Sequence, residues 1–324
     1  MLFKNAIAYH LPQQPSFNAA SLEEMLASKA ERCIGKLEQG PVLSWIKPAG
    51  RKSQVLVHEI NGQRLFCAEL QKRMLPGSVV KERVEELIAE KEAKGDKVTR
   101  KEKAEFKERA RMELLPGAPV KRSTVLVWWD TEESRLILNN SSRKVCELVV
   151  DLLRQTIGTL PAVPLGTNAV PQRAMTQWLR DPSEGPRWLE FGSKVKLVDS
   201  DDGVFNGTNV DLQGVEVSEM VSSGYQVAQM EITMPDQASF VLTNELTLKG
   251  IKSADTIKEA RSEIETDEGN HAADVEADFL IESDMIGFIL SQLVSALGGL
   301  ADGSDAPAKE GAEQAADPEE AEPA

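Results

Sequence analysis

The residues that most clearly suggest a chemical role are the cations of KGDKVTRKEKAEFKERAR, residues 94–111. This stretch carries eight Lys/Arg and four Asp/Glu. Closely spaced Lys and Arg side chains neutralise phosphates and release their counterions, so this pattern favours the binding of a polyanion. The alternative is that Lys and Glu on an exposed helix serve solubility and pair four residues apart. Glu105 and Arg109 have that spacing, but Glu108 faces Met112, so only some of the acids are predicted to have a partner.

The surroundings of this stretch favour the binding interpretation. Residues 72–122 hold 15 Lys/Arg and 10 Asp/Glu, and basic pairs lie at 121–122 and 143–144. The sequence has no helix-turn-helix, zinc-finger or RNA-binding signature, and aromatic residues make up only 5% of it. Backbone contacts to duplex DNA, insensitive to base sequence, are therefore favoured over stacking on single strands. The candidate DNA-binding residues are Lys97, Arg100, Lys101, Lys103, Lys107, Arg111, Lys121, Arg122, Arg143 and Lys144.

The formal charge of −15 does not argue against this, because the acidity is concentrated in one part of the chain. Residues 253–324 contain 19 Asp/Glu and 3 Lys/Arg, whereas residues 1–252 contain 33 and 34. The segment ADGSDAPAKEGAEQAADPEEAEPA has eight acids, one lysine and almost no bulky apolar residue, which predicts a disordered tail over residues 300–324. This tail either solvates the protein or competes with an anionic ligand for basic groups elsewhere.

No residue pattern indicates catalysis. The three histidines, His10, His58 and His271, have no Cys or carboxylate at metal-ligand spacing, and the first two lie in predicted strands as satisfied structural side chains. The stretch DSDDG at 199–203 lacks the later Glu of a calcium loop and is predicted to be a solvated turn. The acids of HAADVEADF are interpreted as alternation on a strand. Dinucleotide, phosphate-loop, nucleophile-elbow and CxxC motifs are absent, so neither an enzyme, a metal site nor a cofactor is predicted.

The location prediction rests on three features. Cys33, Cys67 and Cys146 are far apart in apolar segments, which predicts buried free thiols in a reducing cytosol. The N-terminal MLFKNAIAYHL lacks the features of a signal peptide. The longest apolar run, MIGFILSQLVSALGGL, is too short to span a bilayer. We therefore expect a cytoplasmic protein with no membrane partner.

The elements before residue 165 are predicted from short-range signals. Residues 1–11 are predicted to form a strand, and Ser21 begins a capping box for a helix whose apolar face runs to Cys33. Asn61-Gly62 predicts a hairpin within VLVHEINGQRLFCAEL, and TEES joins a second hairpin, STVLVWWD to RLILNN. Ser141 or Ser142 is predicted to cap the helix that follows.

The cationic stretch lies between these hairpins, bracketed by RMLPG and ELLPG. Ser78 is predicted to cap a first helix, Gly95-Asp96 to end it, and Thr99 to begin a second through a capping box. Two antiparallel helices on a hairpin-to-hairpin connection would project from the body as an arm. Their narrow apolar stripes predict that the arm is stabilised by a partner surface.

Beyond residue 165 the pattern is less regular. A short helix is predicted around 176–180, strands around 194–199, 225–234 and 239–248, and a helix near 254–265. The segment ADFLI is predicted to form a strand before an apolar helix over about 284–297. The fold class is therefore α+β, with mostly antiparallel sheets, flanking helices and a projecting charged helical pair.

The ordered set of segments is more specific than any single one. It comprises MLFKNAIAYHL, HEINGQRLFCAEL, MLPGSVVKE, ELLPGA, WWDT, LLRQTIGTLPAVPL, TQWL and EADFLIESDMIGFILSQLVSALGG. At these spacings, over nearly all of residues 1–299, the chain resembles the RdgC family of bacterial recombination-associated proteins.

This resemblance implies a ring-shaped homodimer around duplex DNA that binds without sequence preference and restrains strand exchange by a RecA-type recombinase, a further partner. It implies a nucleoid-associated protein. The helical arms would meet to close the ring through Val84, Leu87, Ile88 and Phe106. The implied domains are a central one (1–75 and 117–165, with 270–299 returning to it), an arm (76–116) and a second domain (166–269).

The sequence departs from the family pattern at two stretches and in its extended acidic tail. Basic and aromatic residues of the family are replaced by Gly117, Ala118 and Pro119, and a lysine-rich stretch is replaced by NGTNVDL, with uncharged Thr208 and Asn209. The DNA-contact role is therefore carried first to Lys121 and Arg122. The departures also favour a rival interpretation, a protein-interaction regulator of recombination or replication with weak DNA affinity. A nuclease would need clustered carboxylates, which the sequence does not supply.

Overall fold

A computed structural model describes residues 2–30, 40–50, 53–201, 203–264 and 270–301. Its strands are β1 (Asn5–His10), β2 (Val42–Ile46), β3 (His58–Ile60), β4 (Gln63–Arg73), β5 (Val120–Asp130), β6 (Arg135–Leu138), β7 (Val163–Pro164), β8 (Glu190–Val198), β9 (Val204–Thr208), β10 (Gln226–Met234), β11 (Ala238–Thr243) and β12 (Leu248–Ser253). Its helices are α1 (Ala19–Ala27), α2 (Gly77–Glu92), α3 (Arg100–Leu114), α4 (Arg143–Ile157), α5 (Pro171–Arg180), α6 (Val215–Ser222), α7 (Asp255–Glu263) and α8 (His271–Ala296).

One open sheet connects the strands in the order β2-β4-β5-β6-β1-β12-β11-β10-β8-β9, with β3 on β4 and β7 on β1. Strand β1 joins the two halves, because it pairs with β6 along its second half and with β12 at Asn5 and Ala6. The paired strands of the described residues all run antiparallel. The predicted α+β class with mostly antiparallel pairing is confirmed, whereas the predicted domain division stays a prediction.

Both predicted hairpins are confirmed. Asn61 and Gly62 both have positive φ, 49° and 77°, the conformation that a two-residue turn with this sequence favours. The TEES turn joins β5 to β6 and ends on Ser134 at a φ of 51°. The ladder between β4 and β5 extends over ten paired residues, from Arg64 with Trp129 to Arg73 with Val120. This ribbon carries the helical arm at its end.

Alternate residues of the sheet enter two separate apolar clusters, as the period of two along a strand requires. Trp128 belongs to the cluster that packs under α8, whereas Val127 and Trp129 belong to the cluster covered by α1 and α4. Cys67 and Cys146 are buried free thiols, and burial raises the pKa of each to about 12. The prediction of buried free thiols is confirmed for these two, while Cys33 lies outside the described residues.

The prediction of a strand at ADFLI is wrong, because residues 277–281 belong to α8. Its N-cap, Asn270, accepts from the backbone N–H of Ala273, and its buried positions recur at helical spacing over 26 residues. A helical pattern of buried residues over this length outweighs the strand-like composition of five residues. The acids of HAADVEADF consequently lie on a helix.

Helix α8 is long and apolar enough to cross a membrane by length and composition alone. The run MIGFILSQLVSALGGL, which is predicted to be too short to span a bilayer, covers only the second half of this helix. In the structure it is a core helix. Phe279, Ile286 and Leu293 are fully buried against the sheet, and buried Glu282 accepts hydrogen bonds from the N–H groups of Leu2 and Phe3. Burial raises the pKa of the Glu282 carboxyl.

Three smaller predictions are corrected. Asn18, and not Ser21, caps α1, because the Asn18 side chain accepts from the N–H of Ser21. The strand predicted over 239–248 is split by a turn into β11 and β12. Helix α2 begins after Pro76 without the side-chain cap predicted for Ser78, since Pro76 already holds the extended conformation that precedes a helix. The strands β2 and β9 and the helix α6 were not predicted.

Candidate nucleic-acid interface

The predicted arm exists, with the predicted break at Gly95. Thr99 and Glu102 form the full capping box at the start of α3. The two helices run antiparallel, because Arg83 near the start of α2 bonds Glu113 near the end of α3. A small apolar cluster lies between them, made of buried Val80, Leu87 and Ala110 with partly buried Leu75, Val84 and Phe106. The arm therefore has an apolar core of its own.

The four residues predicted for dimer contact are placed differently from one another. Leu87 is only 3% exposed because it lies in the arm's own cluster, against which Val84 and Phe106 also pack. Ile88 is half-buried and, with Val84, lines an open groove along the two helices. Met112, which the sequence did not single out for contact, lines the same groove and is 72% exposed.

Two acids of the arm, Glu102 and Glu113, join its helices, and others pair with cations of their own helix. Arg83 bonds Glu113 between the helices at 3.0 Å, and Lys91 bonds Glu102 in the same way. Arg109 pairs with Glu113 at 2.8 Å, not with Glu105 as its spacing suggested. Glu108, predicted to lack a partner, pairs with Arg111 three residues on. These carboxylates thus neutralise Arg83, Lys91, Arg109 and Arg111, whereas several other cations of the arm have no carboxylate partner among the described residues.

The cations that remain are on the exposed surface of the arm. Lys103, Lys107 and Arg111 recur every four residues along α3, so they form one row about 12 Å long beside the groove. We call these three residues the cation row. Lys103 and Lys107 form no ion pair with any described residue, whereas Arg111 bonds Glu108 at 3.0 Å. The predicted residues Lys97, Arg100 and Lys101 are also exposed and make no such pair in the described chain.

The end of the β4–β5 ribbon adds cations next to the arm. Lys121 lies directly opposite Lys72 in the ladder, and both side chains are exposed with no described carboxylate as ion-pair partner. Like charges directly opposite each other destabilise a strand pair, and an anion between them would remove that cost. Lys72 was not predicted as a site residue, because only the strand register places it beside Lys121. Arg122 is exposed one residue further on, opposite Gln71.

The last predicted pair lies at the start of α4. The Arg143 guanidinium lies 3.2 Å from the backbone carbonyl of Glu245 and 3.4 Å from its carboxylate. These contacts hold the helix against the turn between β11 and β12. Lys144 is exposed. Arg143 therefore has a structural partner, and Lys144 is the freer cation of the pair.

Glu102 gives the arm a predicted pH dependence. The hydrogen bond from Lys91, followed by those from the Thr99 backbone and hydroxyl, lowers the pKa of the Glu102 carboxyl to about 2. Because the folded pKa lies below that of the unfolded chain, this contribution is present above about pH 4.5 and is lost as the pH falls towards 2. We expect the protection factors of the α3 amides, which are corrected for the intrinsic pH dependence of exchange, to fall over that window, and E102Q to remove this part of the pH dependence. Hydrogen exchange at pH 2.5–6 measures both; an unchanged profile in E102Q would contradict the assignment.

One arrangement in the body resembles a hydrolytic relay. His58 Nδ1 lies 2.7 Å from Glu276 Oε1, and its Nε2 lies 3.5 Å from Ser53 Oγ. Ser53 is buried and its hydroxyl donates to the carbonyl of Val55, so the arrangement is a structural link between β3 and α8. His58 is thus satisfied as predicted, whereas His10 Nδ1 is buried without a hydrogen-bond partner in the described part of the chain. Among the described residues, no group of three or more His, Cys, Asp or Glu is placed to hold a metal ion.

Fold and site together define an α+β protein with an open antiparallel sheet and a projecting helical pair, which presents cations that are unpaired within the described residues. A family model described as "Putative exonuclease, RdgC" matches residues 1–300. The recombination-associated protein RdgC of Tolumonas auensis is 32% identical over 301 residues, which is 92% of this chain and 99% of that protein. The proteins of the same name from Proteus mirabilis and Enterobacter sp. strain 638 are each 29% identical, over 93% and 92% of this chain and 99% and 98% of their own lengths. The chain belongs to the RdgC family, which supports a role in recombination.

Proposed function

We propose that this protein binds duplex DNA without sequence preference and, as a ring-shaped homodimer around the duplex, restrains RecA-type homologous recombination in the nucleoid of the cytoplasm. The observation that carries the proposal is a set of exposed cations on the arm and at its base that have no carboxylate partner among the described residues: Lys103 and Lys107, with Lys72 opposite Lys121. Such a surface suits a phosphate backbone, since backbone contacts need charge and carry no base information.

The mechanism is electrostatic. Lysine and arginine side chains neutralise phosphates and release condensed counterions, so the logarithm of the affinity falls with the logarithm of the salt concentration. Engagement of roughly six phosphates gives a slope of about −5. Encirclement would add a topological barrier to escape, and a recombinase filament would then meet an occupied duplex.

The ring is proposed to close where two arms meet. The groove beside the cation row has a volume of about 780 Å³ and an apolar floor that includes Val84, Ile88 and Met112. An exposed apolar groove is a site for protein contact, and a second arm has the complementary mixture of apolar and charged side chains. Sedimentation velocity at micromolar protein is expected to give a dimer, and a monomer would contradict the ring.

The binding experiment is fluorescence anisotropy with two duplexes of equal length and unrelated sequence, each measured from about 0.05 to 0.5 M salt. We expect equal affinities and a common slope of about −5. A flat salt response would contradict the electrostatic mechanism, and a large difference between the duplexes would contradict sequence-independent binding. The same samples, incubated with and without magnesium, report whether the duplex is degraded, as the word exonuclease in the name of the matching family model suggests.

A second candidate function is a protein-interaction regulator with weak DNA affinity. It is favoured by the uncharged residues at the family's basic positions: Gly117 and Pro119 follow the arm, and exposed Thr208 ends the edge strand β9. A protein that inhibits a RecA-type recombinase while failing to bind duplex DNA at low salt would support this candidate against the first.

A further inference from the structure

We propose that the acidic segment 302–324 docks on the cation row of α3 and competes with DNA for it. This inference rests on the proposed function and assigns a regulation to the same surface. The segment contains eight Asp/Glu and one Lys. It contains no Leu, Ile, Val, Met or aromatic residue, so it has nothing to place in an apolar groove. Any stable contact with the folded body must therefore be electrostatic.

The cation row is the surface that such a segment fits. Lys103 and Lys107 are exposed, lie one helical turn apart, and have no ion-pair partner in the described chain. Of the other basic residues of the arm, Arg83, Lys91 and Arg109 bond Glu113 or Glu102. Lys97, Arg100 and Lys101, at or just before the start of α3, are exposed without an ion pair in the described chain and are further cations that the segment could contact. The acids of the segment are spread along it, from Asp302 to Glu322. The segment is therefore a polyanion, as DNA is, and can bind the same cations.

The segment starts from a fixed point and has the length to reach the arm. Leu300 bridges to Thr167, and the N–H of Ala301 donates to the carbonyl of Gly166 at 3.1 Å. The 23 residues after Ala301 span at most about 80 Å when extended and about 26 Å as a random coil. A compact protein of 324 residues has a radius of gyration of about 20 Å. Docking within one subunit, or on a second one, is therefore within reach.

The consequence is a reduced and less salt-sensitive affinity for DNA. A tethered segment has an effective concentration of about 1 mM, and a docking constant of about 0.1 mM then weakens DNA binding roughly tenfold. Because the acidic segment takes up cations again when DNA displaces it, it offsets part of the counterion release from the DNA, and the salt slope becomes shallower. Both effects are expected to vanish above about 0.5 M salt, where exposed charges are screened.

The test uses the full-length chain, with all eight acids of 302–324 changed to their amides. We expect roughly tenfold tighter duplex binding at about 0.05 M salt, and convergence with the unmodified protein at about 0.5 M. The matched background is K103Q/K107Q, in which the same eight changes are expected to give little further gain. An equal gain in both backgrounds would overturn docking on the row, because the segment would then act by general repulsion of DNA.

A measurement without DNA separates this inference from the proposed function. Zero-length carbodiimide cross-linking followed by mass spectrometry is expected to join Lys103 or Lys107 to carboxylates of 302–324, and to lose these links at high salt. Such links in a protein that fails to bind duplex DNA would support docking and contradict the proposed function. Tight DNA binding without such links, and without an effect of the amide changes, would overturn docking and leave the proposed function standing.

Discussion

Replacing Lys103 and Lys107 by glutamate is expected to weaken binding to every duplex roughly a hundredfold at about 0.1 M salt. A hydrogen bond to a charged group contributes roughly 1.5–3 kcal/mol, and the substitution also places two anions against the phosphates. Both lysines are exposed and unpaired within the described chain, so no internal ion pair is lost with them. The milder K103Q/K107Q variant is expected to make the salt slope shallower by about 2, since each lost phosphate contact removes about one.

The matched control is K252E/K258E, which changes the net charge by the same amount at exposed positions of β12 and α7. Lys252 lies opposite Ser239 in the sheet and Lys258 pairs with Asp255, so neither belongs to the arm. Anisotropy titrations of both variants are compared at equal salt, and circular dichroism checks that α3 remains helical. If the control lost as much affinity as K103E/K107E, the effect would reflect net charge and the arm would not be the binding surface.

The arm was predictable because its signals are local. Proline and glycine bracket it, Gly95 interrupts it, and the capping box of Thr99 and Glu102 begins its second helix, and each of these signals spans only a few neighbouring residues. Its ion pairs were less predictable. Helical spacing indicated Glu105 as a partner for Arg109. In the structure the neighbouring helix places Arg83 beside Glu113, and Glu113 pairs with both Arg83 and Arg109.

The misassigned and missed features depend on long-range contacts. ADFLI has the composition of a strand, and only the burial of one face of α8 along its whole length makes it helical. Lys72 is 49 residues from Lys121 in sequence, and the two meet because of the register of β4 against β5. Register is set by the hydrophobic pattern of the whole ribbon, so no short window of sequence could have placed Lys72 in the candidate site.

The ion pair between Arg135 and Asp130 is expected to be the most sensitive polar contact of the fold. Arg135 is 5% exposed and Asp130 2%, and the guanidinium bonds Asp130 Oδ2 through Nε at 3.0 Å and Nη2 at 2.7 Å. A third bond, from Nη1 to Ser291 Oγ at 3.3 Å, connects the second hairpin to α8. The pair thus joins the sheet to the helix that covers it.

The variant R135M should lower the free energy of unfolding by about 3–5 kcal/mol, because it leaves the Asp130 carboxylate buried without its cation. The double variant D130N/R135M should recover much of that loss, since the uncompensated charge is then removed as well. Urea denaturation of the wild type, both single variants and the double variant gives the coupling energy between the two residues. Additive losses would show that the side chains act independently. The buried charge would then not be the reason for the sensitivity, and the packing of Arg135 under α8 would have to explain it.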